Sequence, residues 1–161
     1  MIIRPAREAD AEAIWPLLRD VFRVGDTYAV DPNISKDDAL EYWMNQPRST
    51  YVADGPDGIL GTYYIKTNQP GGGAHICNCG YIVAPTARGR GVAAQMCEHS
   101  QRTAKELGYL AMQFNFVLAS NEGAVRLWHR LGFKTVGAIP DAFDHPRIGM
   151  VAAHVMHKSL I

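Results

Sequence analysis

The chain is most constrained between Gly80 and Ala93. There an apolar run, Tyr81-Ile82-Val83-Ala84, stops at Pro85, passes through Thr86-Ala87-Arg88-Gly89-Arg90-Gly91 and enters a helical pattern at Val92 and Ala93. Strand, glycine-rich turn and helix start together leave little freedom of geometry. Glycine accepts left-handed backbone, so N–H groups can turn to one side and approach a ligand closely. The first turn of the helix adds unpaired N–H groups and the positive end of its dipole. The stretch therefore reads as an anion cradle suited to the pyrophosphate of a cofactor. No Gly-Lys-Ser/Thr follows, so it is not a Walker loop. A dinucleotide fold places such a loop after its first strand, whereas several strand-like segments come first here. Arg-Gly-Arg-Gly also occurs in RNA-binding tails, but those are repetitive and disordered, and this one sits between ordered patterns.

The remaining segments can be read around that loop. Ile2-Ile3-Arg4 is a short strand closed by Pro5. Asp10 is placed to cap a helix with apolar residues at Ala13, Ile14, Leu17, Leu18, Val21 and Phe22, and Pro16 should kink or break it. A loop from Arg23 to Asn33 contains Gly25-Asp26-Thr27-Tyr28. Ser35 then caps a second helix carrying Ala39, Leu40, Tyr42 and Trp43. Ser49 to Ala53 and Ile59 to Thr67 read as a hairpin about the turn Asp54-Gly55-Pro56-Asp57-Gly58, with Tyr63 and Tyr64 on opposite faces. Ala74 to Val83 is the strand leading into the cradle. Gly91 to Leu107 is a helix ended by Gly108, and Tyr109 to Leu118 is a strand. Ser120 or Asn121 caps a helix ended by Gly132. Phe133 to Ile139 and Met150 to Lys158 are the last strands, with Pro140 to Arg147 as the loop between them. Helices that link strands make the second half α/β.

Composition adds limits. Residues 1–161 are expected to form one domain. Sixteen basic and sixteen acidic residues cancel, so nothing global directs the chain to nucleic acid or to a membrane. Cys77, Cys79 and Cys97 do not suit a disulfide scaffold or a zinc site, and they read as small buried thiols. With charged residues at once after Met1-Ile2-Ile3, no signal peptide is read and a cytoplasmic location is expected.

Two motifs carry a family likeness. Arg88-x-x-Gly91-x-Ala93, at a strand end and a helix start, resembles the acetyl-CoA signature of the GCN5-related N-acetyltransferases (GNAT). Asn121-x-x-Ala124-x-x-Leu127-Trp128-x-x-x-Gly132-Phe133 resembles the later helix–Gly-Phe–strand motif of that family. The order of elements around them agrees over nearly the whole chain. The resemblance implies an α/β (α+β) fold with a mixed, mostly antiparallel sheet of roughly six to seven strands, splayed near its middle and flanked by about four helices. It also implies acetyl-CoA as cosubstrate, with no metal. Backbone groups of Ile82 and Val83 would pair with the pantetheine arm. The N–H groups of Arg88, Gly89, Arg90, Gly91, Val92 and Ala93 would face the pyrophosphate. Asn121 would bond the CoA arm or serve only as a helix cap. Dimers are common among proteins of this kind.

The chain also departs from the family pattern. Where many members carry a tyrosine as general acid, it has Trp128, which cannot act as one and reads as a packing residue or a wall of the CoA site. A proton donor would have to come from Tyr28, Tyr63, Tyr64 or Tyr81. The strand before the cradle lacks the glutamate that often serves as base. His75 is a side chain of the type that can take this role, and Asn78 can orient a substrate group or a water. Asn115, between Phe114 and Phe116, is expected at the acceptor or in a structural hydrogen bond. Asp26, Thr27 and Tyr28 lie in the loop that covers the acceptor in this family. The loop, Phe114-Asn115-Phe116 and Ser120-Asn121 look similar to the branch acting on proline analogues such as azetidine-2-carboxylate. The function expected is N-acetylation of a small amine, an amino acid or analogue, by direct attack. The alternatives are a protein or peptide N-acetyltransferase and a non-catalytic acyl-CoA-binding module.

Overall fold

A computed structural model describes residues 1–161. Seven strands form one sheet: β1 (Ile2–Pro5), β2 (Ser49–Gly55), β3 (Gly58–Thr67), β4 (Ile76–Val83), β5 (Ala111–Leu118), β6 (Lys134–His145) and β7 (Gly149–Ser159). Their order is β1-β2-β3-β4-β5-β7-β6. Every neighbouring pair is antiparallel except β4 and β5. Helices α1 (Ala11–Val24) and α2 (Lys36–Leu40) pack on one face, and α3 (Val92–Glu106) packs with α4 (Glu122–Arg130) on the other.

The alternation of β3 and β4 sorts side chains between the two faces. Tyr63, Ile65, Cys77 and Cys79 join Met96, Met112, Phe114 and Phe133 under α3 and α4. Tyr64 and Ile82 join Ile14, Leu18, Phe22 and Trp43 under α1 and α2. All three cysteines are buried and free.

Several sequence expectations need correction. Helix α1 runs unbroken through Pro16. Ile14, Leu18 and Phe22, on both sides of the proline, are almost wholly buried and hold the two halves on the sheet. Asp10 does not cap α1 with its side chain. Its carboxylate accepts from the Arg7 N–H at 2.6 Å and pairs with Arg4 at 2.8 Å, so it closes a short turn before the helix. Tyr42 and Trp43 lie not in α2 but in the wider π-turn that follows it, Glu41–Asn45. Pro140 to His145 is not a loop. Strand β6 continues to His145 past an irregularity between Ile139 and Phe143, where Asp141 takes a φ of 47°. An edge strand tolerates the missing N–H of Pro140, which explains why the proline does not end it.

A buried chain of hydrogen bonds ties the π-turn to the sheet. Trp43 Nε1 donates to Thr62 Oγ1 (3.0 Å), Thr62 Oγ1 donates to the Tyr51 carbonyl (2.8 Å), and Thr50 Oγ1 donates to the Trp43 carbonyl (2.6 Å). Thr62→Val keeps the shape but strands the indole N–H. We expect a loss of about 1–3 kcal/mol with an unchanged denaturant slope in urea unfolding. A loss below about 0.5 kcal/mol would show that the bond carries no weight.

Candidate acyl-transfer cleft

β4 and β5 pair over only two positions, Ile76 with Ala111 and Cys77 with Met112. The next residue, Asn78, ends the ladder: its Nδ2 donates to the Gln113 carbonyl at 3.0 Å. Beyond it the strands diverge, and the gap between them is a cleft of about 360 Å³. The gap passes through the sheet. Val83, Ala93, Ala124, Leu127 and Trp128 line it towards α3 and α4, while Tyr42, Tyr64, Lys66, Asn78 and Phe116 line the rest.

Divergence leaves backbone groups of β4 without a strand partner. In an antiparallel ladder alternate residues turn to opposite sides. Ala84 N–H bonds Leu60 of β3, so the even-numbered residues face β3 and Cys79, Tyr81 and Val83 face the opening. Ile82 was expected to pair with a ligand through its backbone. The register turns that backbone to β3 instead, although Ile82 still lines, with Val83, Arg88 and Asn121, a cavity adjoining the cleft. Tyr81 already has a partner: Tyr28 Oη donates to its carbonyl (2.8 Å) and accepts from its N–H (2.9 Å). One hydroxyl thus stands in for a missing strand.

This bond changes the reading of Tyr28. Its proton is engaged at a carbonyl, and burial raises its pKa further above the ordinary tyrosine range. It is placed to hold the open edge rather than to give up a proton. Tyr63 bonds His99 at 2.7 Å, and the Tyr81 hydroxyl bonds Ser100 at 2.7 Å. Tyr64 also lines the cleft, beside the Tyr42 hydroxyl, and unlike the other three candidates it makes no hydrogen bond to the sheet or to α3. Burial raises the Tyr64 pKa, so it keeps its proton. Its ring passes so close to Gly80 that a Cβ there would lie 2.7 Å from the ring, which accounts for the glycine.

At the mouth of the cleft, Pro85–Ala87 forms a single 3-10 turn, and Gly89 (φ 74°) and Gly91 (φ 76°) take left-handed backbone. Gly91 caps α3 without a side-chain bond, and no acid lies in the first turn. Residues 88–91 are exposed, whereas the Val92 side chain is buried, leaving only its backbone for a ligand. This is the geometry of an anion site. Asn121 Oδ1 accepts from the Ala124 N–H at 3.3 Å, which makes it the helix cap, and its Nδ2 has no protein partner. Trp128 packs against Phe114 and Tyr81, each with ring centroids 5.1 Å away, and forms a wall.

The other predicted residues separate. Thr27, Tyr28, Asn78 and Asn115 converge on the cleft. Asn115 is fixed by Gln113 (2.9 Å) and Asn68 (2.7 Å). Asp26 lines a second, more polar cavity instead, where it meets Arg147 of the β6–β7 turn at 3.1 Å. Burial would raise the Asp26 pKa, but bonds from Thr27 and Arg147 outweigh it and hold the carboxyl below the usual range. His75 is exposed, precedes β4 and lines neither cavity. Sequence reading missed Tyr42, Lys66 and Phe116. Lys66 carried one faint signal, its place two residues after Tyr64 on the same strand face.

Comparison with known proteins identifies the family and the fold. The model of the acetyltransferase (GNAT) family matches residues 11–133. The chain is 31% identical over 135 residues to the N-acetyltransferase aca1 of Schizosaccharomyces pombe, a match covering 74% of this chain and 65%, just under two thirds, of aca1. A solved GCN5-related N-acetyltransferase from Kribbella flavida is 41% identical, with a TM-score of 0.93 over 98% of this chain and 96% of its own. The yncA protein of Salmonella typhimurium, solved with its cofactor acetyl-CoA, shares the fold at 19% identity and a TM-score of 0.85, over 100% of this chain and 94% of its own. The chain belongs to the GNAT acetyltransferase family.

Proposed function

We propose that this protein transfers the acetyl group of acetyl-CoA to the nitrogen of a small amine, an amino acid or an analogue of one. The observation that carries the reading is the through-sheet cleft, with an anion cradle at one mouth and a polar, tyrosine-lined chamber across the sheet. Backbone N–H groups from Gly89 to Ala93 would hold the pyrophosphate, and the exposed Arg88 and Arg90 add positive charge beside it. Val83 offers the open-edge backbone groups, Asn121 its free Nδ2, and Trp128 a wall. Acetyl-CoA supplies an activated thioester. The chain supplies proximity, since both reactants share one cleft.

No carboxylate or histidine lines the cleft itself, and Asp26 and His145 of the adjoining cavity are both engaged by Arg147, so we assign the amine's proton to water before attack. Asn78 Oδ1, without a protein partner, is placed to orient the neutral amine, with Thr27 and Asn115 bounding the chamber. Tyr64, which keeps its proton, is the group we assign to donate a hydrogen bond to the departing sulfur, stabilising it as thiolate. The lack of an acid in the cleft also disfavours a basic peptide as acceptor. Val136, Ile139, Ile148 and Met150 are exposed on or beside β6 and β7, and they support self-association through that edge. Three reduced, buried thiols suit a reducing compartment such as the cytoplasm.

Two experiments test this. In a thiol-release assay with saturating acetyl-CoA, kcat/KM for the amine should rise about tenfold per pH unit up to the amine's own pKa, because only the neutral fraction reacts. Tyr64→Phe should lower kcat by about tenfold or more without moving that profile. A plateau near pH 7 would reveal a base in the site. Separately, Gly91→Glu puts a strained side chain and a negative charge in the cradle. It should weaken acetyl-CoA binding by at least about tenfold in calorimetry while leaving the circular dichroism spectrum intact. Retained affinity would refute the placement of the pyrophosphate.

A further inference from the structure

Lys66 is the sole charged side chain lining the cleft. It sits on β3 directly opposite Asn78, on the face that also carries Tyr64 opposite Gly80. Its Nζ lies 5.4 Å from the Tyr64 ring centroid and 5.6 Å from that of Tyr42. No carboxylate of the protein pairs with it: the six ion pairs of the structure all lie elsewhere. Nor does Nζ donate a hydrogen bond to any protein group, although Lys158 Nζ has two such partners. Two aromatic faces therefore hold an ammonium in place and leave its three N–H donors free.

The phosphates of CoA do not account for it. Asn78 precedes Val83 by five residues, which at ~3.3 Å per residue puts Lys66 about 16 Å along the strand from the mouth where the cradle lies. The half-buried charge stands at the far end of the cleft, across the strand register from Asn78. A lone ammonium there repels a second one, so a diamine or a lysine side chain meets like charge with no acid to offset it. An amine that brings its own carboxylate is matched at both ends.

We propose that Lys66 binds the carboxylate of the acceptor, which makes the acceptor class α-amino or imino acids rather than simple amines or basic side chains. The assignment rests on the acetyl-transfer reading above. With the carboxylate on Lys66 Nζ, the nitrogen falls towards Asn78 Oδ1 on the facing strand. The rest of a small acid lies against Phe116 and the tyrosines.

The test uses matched acceptors, L-alanine, L-proline and L-phenylalanine, each beside its carboxamide, in the thiol-release assay. Each pair is compared at equal concentration of neutral amine. The wild-type protein should favour the acids by about tenfold or more in kcat/KM. Lys66→Gln should abolish that preference, chiefly by raising KM for the acids, with acetyl-CoA affinity and thermal unfolding unchanged, and Lys66→Arg should restore most of it. Carboxamides used as well as acids by the wild type, or an acid preference that survives in Lys66→Gln, would overturn the assignment and leave acetyl transfer standing. If no amine speeds thiol release although acetyl-CoA binds, the acetyl-transfer reading fails, and the Lys66 assignment with it.

Discussion

The structure depends on a strand edge that is deliberately left unpaired. β4 and β5 part after two residue pairs, and from there each strand has backbone groups facing a gap. Buried N–H and C=O groups without partners cost about 1–3 kcal/mol each, so such a gap persists only if something else satisfies them. Asn78 caps the fork through the Gln113 carbonyl. Tyr28 then answers both polar groups of Tyr81 from a loop 53 residues away in sequence. What remains, at Cys79 and Val83, faces the cleft, and Val83 stands at the end where the cradle begins.

The same opening separates the two halves of the proposed chemistry. Alternation along β3 and β4 sends Tyr63 and Tyr81 towards α3, into hydrogen bonds with His99 and Ser100. It sends Tyr64, Lys66, Asn78 and Gly80 to the other face, towards the acceptor chamber. In the proposed reaction donor and acceptor would approach from opposite sides and meet where the sheet is split. The electrostatics follow this division. The cradle offers backbone N–H groups and two exposed arginines for phosphate, with Asp26 nearby held by Arg147, while the chamber offers one ammonium and several amides.

How much of this was legible depended on the range of the interaction. The cradle was readable because Gly89, Gly91 and the start of α3 are neighbours in sequence, and the backbone conformation is a local property. The N-cap role of Asn121 was readable for the same reason. Pro16 misled because tertiary burial of Ile14, Leu18 and Phe22 outweighs one lost hydrogen bond. Pro140 misled because its cost vanishes at a sheet edge, and nothing local says which strand is the edge. Tyr28 was noticed as a candidate acid and as part of the acceptor loop, but not as a partner of β4, because Tyr81 is distant from it in sequence. Lys66 went unseen because its importance lies in facing Asn78, a register set only when β3 and β4 pair.

The central claim is that the open edge of β4 is half closed by Tyr28 and completed by the acetyl-CoA arm. Residue-resolved amide hydrogen exchange, with and without acetyl-CoA, tests it directly. The Tyr81 amide should be protected in both states. The amides of Val83 and of the first turn of α3 should exchange freely in the unliganded protein and slow markedly when acetyl-CoA is added. A Tyr81 amide that exchanges as fast as Val83 in the free protein, or a ligand that leaves Val83 and the first turn of α3 unprotected, would contradict the account.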